Sequence, residues 1–261
     1  VSDSQPSIQA EAAPRLSLVI PAYNEARRIA ATLDAASAAL ADLGVTGEII
    51  VADDGSSDDT ATIVQSLSQT NSAVRLLRLP HRGKAAAVRS GMLASEGEFI
   101  LFSDADLAVP LSYIRPFLEL AGDGADVVIA SREGATASRI GEPEYRHIMG
   151  RVFNRLVQVL LLPGIEDSQC GFKLFRRNAA TQILHRTQLY RESDTEVTGA
   201  RVTAFDVELL VIARRLGMRT VVVPVEWTYG EQSKVNPVRD SLLNLRDLAM
   251  VKVHDLRRKY R

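Results

Sequence analysis

Five short apolar runs, separated by four helical patterns, constrain this chain more than any other feature. They are Leu16–Ile20, Glu48–Ala52, Val74–Leu79, Glu98–Ser103 and Val127–Ser131. Between them, apolar residues recur at helical spacing over Glu25–Leu43, from the Asp53–Thr60 segment to about Ser68, over Gly83–Ala94 and over Ser112–Ala121. Strands that are apolar on both faces need cover on both sides, and the intervening helices supply it. The pattern predicts an α/β fold with a mostly parallel sheet and helices on both faces. Pro21 reads as the stop of the first strand and Gly44 as the stop of the first helix.

Beyond Ser131 the rhythm loosens. Helices are predicted over Arg146–Leu162, Ala204–Leu216 and Asp240–Arg258, with a strand over Arg219–Val225. No repeat, low-complexity tract or linker interrupts the 261 residues, so one domain is expected from about residue 15 to 261. Residues 1–14 are polar and read as a disordered lead-in.

In open parallel sheets, ligands bind beyond the carboxyl ends of the strands. Three predicted strands end in polar clusters: Pro21-Ala22-Tyr23-Asn24-Glu25, Asp53-Asp54-Gly55-Ser56 and Asp104-Ala105-Asp106. Asp104 and Asp106 flank the small Ala105 and suit a hard cation such as Mg2+ or Mn2+, which keeps further positions for phosphate. A solvated turn or a helix cap explains either acidic cluster on its own; the shared placement after buried strands favours a site. Tyr23 suits either a core position or a platform for a nucleobase. Gly83-Lys84 opens a helix whose free N–H groups suit an anion, and Arg89 follows about a turn and a half later. A solvated basic helix start would read the same way.

Composition closes several alternatives. A net charge of -1 gives no global field for nucleic acid. The single cysteine, Cys170, excludes an internal disulfide and a cysteine-based zinc site, and fits a reducing compartment. Its apolar context reads as a buried small residue rather than a nucleophile. The four histidines show no ligand spacing. No apolar run reaches the ~18–20 residues of a membrane helix. The first strand ends in PAYNE rather than a Gly-x-Gly-x-x-Gly turn, which disfavours a dinucleotide site.

The segments VIPAYNEARRI, EIIVADDGSSDDT, RGKAAAVRSGM and ILFSDADLAVP, in this order, resemble the inverting nucleotide-sugar glycosyltransferases of glycosyltransferase family two. The resemblance implies the GT-A fold, a divalent cation at Asp104 and Asp106, and a nucleoside held by Pro21, Ala22, Tyr23, Glu25, Asp53 and Asp54. Farther on, GIEDSQCGFKLF, AFDVELL, VEWT and QSKV look like the dolichyl-phosphate β-glucosyltransferase group, which moves glucose from UDP-glucose to a polyprenyl phosphate. The expected halves are a nucleotide-binding part, about residues 15–132, and an acceptor-binding part, about 133–261.

In that reaction Lys84, Arg89, Asp104 and Ala105 belong with the donor. A phosphate acceptor carries its own negative charge and attacks without a strong base. What it needs is cations, and Lys173, Arg132 and Lys234 are the candidates, with Gln169 and Ser233 beside them. Asp206 is the choice for a base or acceptor-orienting residue, and a charge satisfying nearby backbone or an arginine would account for it equally; Asp167 suits either part. Trp227, near a strand end, reads as core, with an acceptor-lipid contact as the lesser alternative. Leu242, Leu243, Leu245, Leu248, Val251 and Val253 form one apolar side of the last helix, with Arg246, Lys252, Arg257, Arg258 and Lys259 beside it. A core helix explains this, as does a helix lying on an anionic membrane. The lipid acceptor favours membrane association, through this helix and Arg146–Leu162, at the cytoplasmic face. His185–Thr203 is expected as a loop, either a lid or plain surface. Mannosyl transfer from GDP-mannose, transfer to a glycan hydroxyl, and a non-catalytic nucleotide-binding module are the rivals. A homodimer is left open.

Overall fold

The computed structural model describes residues 15–189, 203–230 and 237–261. The elements run β1 (Leu16–Ala22), α1 (Ile29–Leu43), β2 (Gly47–Asp53), α2 (Thr60–Thr70), β3 (Val74–Arg78), α3 (Lys84–Leu93), β4 (Phe99–Ser103), α4 (Ile114–Gly122) and β5 (Val127–Ser131). They continue with β6 (Ser138–Ile140), α5 (Glu144–Leu160), β7 (Phe172–Arg176), α6 (Arg177–Arg186), α7 (Phe205–Arg215), β8 (Thr220–Pro224), β9 (Glu226–Thr228) and α8 (Pro237–Leu256). Seven strands form one sheet in the order β3-β2-β1-β4-β7-β5-β8. Only β7 runs against its neighbours, β4 and β5. The architecture is the expected α/β fold with a mostly parallel sheet.

The buried strands explain the layers. Leu18 and Ile20 of β1 join Ile49 and Val51 of β2 in a core covered by α1 and α4. Val19, Ile100 and Phe102 point the other way, into a core built with α3, α6, α7 and α8. Neighbouring residues of one strand serve opposite faces. Gly91 lets α3 approach β1 closely: a Cβ there would lie 2.4 Å from Val19 Cγ1.

Pro21 does not stop β1. It pairs with Ala52, and the strand continues to Ala22. Leu16 donates toward the β2 side, to Thr46, so by alternation an N–H at position 21 would face β4. Pairing with β4 ends at Val19–Phe102, so no bond is lost there. Gly44 does end α1, with φ of 64° and its N–H bonded to the Ala41 carbonyl.

Three features of the second half escaped the sequence pattern. β7 carries a buried lysine within Phe172-Lys173-Leu174-Phe175-Arg176, which masks a buried strand. The helix α6 takes His185 and Arg186, the start of the expected loop; residues 190–202 lie outside the described residues. The short parallel pair β6–β9 was not anticipated. On α8, Leu248 and Val251 enter the core, whereas Leu242, Leu245 and Val253 are exposed, so the apolar side is split between two surroundings.

Candidate active site

A cavity of about 660 Å³ opens at the carboxyl ends of the central strands. Pro21 and Ala22 line it from the end of β1 and Tyr23 and Glu25 just after, with Asp54 after β2, Asp104, Ala105 and Asp106 after β4, and Arg132 after β5. Because β7 is antiparallel, the residues before it reach the same rim. Gln169 lines the cavity, and Gly171 accepts a hydrogen bond from the Asp104 backbone.

At one end the Tyr23 ring stacks on His81, with centroids 4.0 Å apart and planes within 2°. His81 is held in turn by Asp54, its Nδ1 2.8 Å from Oδ2. The backbone N–H groups of Arg82 and Gly83 also donate to Asp54. Asp54 therefore fixes both the aromatic pair and the entry to α3. Asp53 does not line the cavity; it is buried and accepts the Ser56 N–H within the turn.

Asp104 and Asp106 line the cavity just past the tip of β4. Lys84, the first residue of α3, places Nζ 2.5 Å from Asp104 Oδ1. That oxygen is buried and receives no aligned hydrogen bond. The Gly171 backbone presses against the same carboxylate, and a Cβ at that position would lie 2.1 Å from Oδ2. Asp106 accepts the Ala108 N–H, and partial desolvation against the cavity wall together with the Asp104 charge raises its carboxyl above the usual range. For Lys84, burial opposes the charge, but Asp104, Asp206 and Asp106 outweigh it and raise the ammonium pKa. Among the described residues no three His, Cys, Asp or Glu side chains converge as a closed metal site. Two carboxylates beside an open cavity fit a Mg2+-like ion that completes its shell with water and phosphate. Arg89 does not line the cavity.

Two ion pairs, each with one member at the cavity and one buried behind it, support the rest of the site. Lys173 is fully buried and donates to Asp206 Oδ1 at 2.7 Å and to the Cys170 carbonyl at 2.6 Å. Asp206 lines the cavity and Lys173 does not, so the lysine expected to meet a phosphate lies beneath the surface, paired to Asp206. Its position follows from β7, where Lys173 and Phe175 share the face packed on Phe102. Arg132 donates through Nε and Nη2 to both oxygens of Asp167, at 2.7 and 2.8 Å, and lies over the Trp227 ring. Burial disfavours both charges, yet Arg132 holds the Asp167 carboxyl well below the usual carboxylate range. That leaves Asp167 a poor base. Burial pushes the Cys170 thiol up to about 12, in keeping with a structural role.

The sequence reading missed Arg139 and Arg146 at the cavity. Arg139 lies between Glu133 and Glu142, at 2.8 and 2.5 Å. Arg146 donates to Tyr229 Oη at 2.5 Å and lies over its ring. The β6–β9 pair brings Tyr229 there, and helix periodicity alone gives no sign of it. Ser233 and Lys234 lie outside the described residues.

Residues 17–184 match the family model described as glycosyl transferase family 2. The chain belongs to that family. It is 36% identical to a dolichyl-phosphate beta-glucosyltransferase of Drosophila melanogaster, over 96% of this chain and 78% of the relative. The human protein of the same name is 33% identical, over 97% and 80%. Among solved structures, glucosyl-3-phosphoglycerate synthase from Mycobacterium tuberculosis with phosphoglyceric acid aligns at TM-score 0.62 and 20% identity, covering 92% of this chain and 80% of that one. The same enzyme with Mn2+, UDP and glucosyl-3-phosphoglycerate gives 0.58 and 19%, covering 93% and 77%. These similarities establish a GT-A glycosyltransferase fold.

Proposed function

We propose that this glycosyltransferase moves glucose from UDP-glucose to a polyprenyl phosphate of the dolichyl type, at the cytoplasmic face of a membrane. One observation carries the reading: a single cavity joins a carboxylate pair at its floor to arginines and an apolar wall on the α5 side. The donor residues come mainly from residues 15–132 and the acceptor residues from 133–261, with Arg132 at the junction. The relatives named dolichyl-phosphate beta-glucosyltransferase support the sugar and the acceptor class. The solved glucosyl transfer enzyme with UDP and Mn2+ supports a metal-assisted nucleotide donor.

Tyr23, with His81 behind it, offers the base an aromatic face, and Pro21, Ala22 and Glu25 border the nucleoside. Asp104 and Asp106 would hold Mg2+ or Mn2+, which when bound supplies Lewis-acid stabilisation of the leaving diphosphate. Lys84 adds a fixed positive charge at the helix start, where negative charge grows as the glycosidic bond breaks. Arg132 and Arg146, with Gln169, face the acceptor phosphate and bring it toward an anionic donor. Asp206 is neutralised by Lys173. A phosphate nucleophile suits that arrangement, since it needs orientation more than a strong base.

The test is a transfer assay with purified protein, Mg2+ or Mn2+, a short polyprenyl phosphate, and labelled UDP-glucose and GDP-mannose in parallel. Glucosylated lipid from UDP-glucose alone is expected. Mannosyl lipid, or transfer to a glycan hydroxyl in place of the lipid, would overturn the donor or the acceptor assignment.

A further inference from the structure

The helix α5 has seventeen residues and buries only Asn154 and Val157. A surface helix ordinarily turns its apolar stripe inward. Here Tyr145, Ile148, Val152, Leu156 and Val159 recur three or four residues apart and are exposed, Val159 at 71%. The neighbouring α8 does the same with Leu242, Leu245, Val253 and Leu256. Of the fourteen large apolar side chains exposed among the described residues, eleven sit on these two helices. Scattered exposed apolar residues need no explanation, but a continuous patch of this kind marks an interaction surface.

The charges around the patch choose the partner. Arg151 and Arg155 on α5, Arg246 on α8, and Arg257 and Arg258 just after it are exposed. Glu144 is the sole exposed acidic side chain described on the two helices, since Asp247 and Asp255 are buried. An apolar stripe flanked by cations fits an anionic bilayer, with the stripe among the acyl chains and the cations at the headgroups. The patch is also continuous with the cavity, because Ile148, Val152, Leu156 and Leu245 belong to both.

We propose that α5 and α8 together form a membrane-docking face that lies in the headgroup plane of an anionic bilayer, so that the cavity opens directly onto the lipid. A lipid-linked acceptor would then slide along Ile148, Val152 and Leu156 to the floor without its chain crossing water. That last step rests on the acceptor proposed above; the docking does not.

Val159, Leu242 and Leu256 lie outside the cavity lining, which separates docking from catalysis. The experiment is co-sedimentation of the full chain with phosphatidylcholine vesicles, with and without phosphatidylglycerol. The wild type should sediment with the anionic vesicles, more weakly as salt rises. Val159→Asp with Leu256→Asp should weaken binding about tenfold or more, and Arg155→Glu with Arg257→Glu should remove the preference for anionic lipid. Both pairs should keep UDP binding and the wild-type melting temperature, as the side chains are exposed. Because Cys170 is buried, Val159→Cys can carry an environment-sensitive dye, whose emission should shift to the blue on vesicles while a dye at Gln69→Cys on α2 should not. Asp106→Asn should sediment like the wild type whether or not transfer occurs. Wild type that stays in the supernatant with anionic vesicles, or a dye at position 159 that does not shift, would overturn the proposal. So would self-association abolished by the Asp pair in a protein that ignores vesicles.

Discussion

Lys84 Nζ lies 2.5 Å from Asp104 Oδ1, joining the first residue of α3 to the tip of β4 across the cavity floor. The lysine stands where a cation is wanted, beside two carboxylates that repel each other. Asp104→Asn or Asp106→Asn should cut transfer by about a hundredfold or more, as expected for loss of a group that stabilises developing charge. Melting temperature should hold or rise for Asp106→Asn, because one repelling charge is gone, and should fall for Asp104→Asn, which takes the main counter-charge from Lys84. Thermal shift by UDP with Mn2+ reads the metal separately: it should shrink in both variants. Full transfer activity in a chelator would refute the metal assignment.

Gly171 tests how closely that floor is packed. A methyl group there cannot coexist with the Asp104 carboxylate in its present position. Gly171→Ala should therefore lower activity strongly while costing about 1–3 kcal/mol of stability, measured by urea unfolding. Gly164→Ala is the control for backbone effects, as its Cβ would meet nothing within 4 Å although its φ of 88° carries strain. A Gly171→Ala enzyme with unchanged rate would mean that the carboxylate has room to move.

The first half of the chain was legible because each strand is apolar on both faces and each tip is polar, so periodicity and position gave sheet and rim together. Asp104 and Asp106 could be placed on that basis. Lys173 could not: a buried lysine interrupts the apolar signal of β7, and only the tertiary fold shows that Asp206 neutralises it. Arg146 opens a predicted helix, but its approach to Tyr229 depends on the β6–β9 pairing, which has three residues a side and almost no sequence signature. Pro21 misled locally, since proline ends a strand only where its missing donor is needed.

The buried Lys173–Asp206 pair invites a double-mutant cycle. Removing one partner leaves an uncompensated charge in the interior and typically costs about 3–5 kcal/mol. Lys173→Met and Asp206→Asn should each destabilise markedly in urea, and the double variant should recover much of that loss. Transfer should not recover with it if Asp206 orients the acceptor. Recovery of both would show the pair to be a structural tie alone.

Glu208 gives the stability a pH dependence of its own. It lies on α7, almost fully buried, and accepts from the Gln188 and Leu189 N–H groups and from Tyr260 Oη. Burial raises its carboxyl to about 7 despite those donors, with the Asp247 charge adding to the rise. The folded state therefore binds this proton more tightly than the unfolded chain. The resulting stability is fully present below the unfolded value near 4.5 and is lost as the pH climbs through about 7. The shift corresponds to at most about 3 kcal/mol. Urea unfolding from about pH 5 to 8 should show the wild type losing stability across this range relative to Glu208→Gln, whose neutral amide cannot ionise. Parallel curves for the two proteins would assign the pH dependence elsewhere. Tyr260→Phe removes a donor that favours the carboxylate, so it should move the wild-type decline to higher pH.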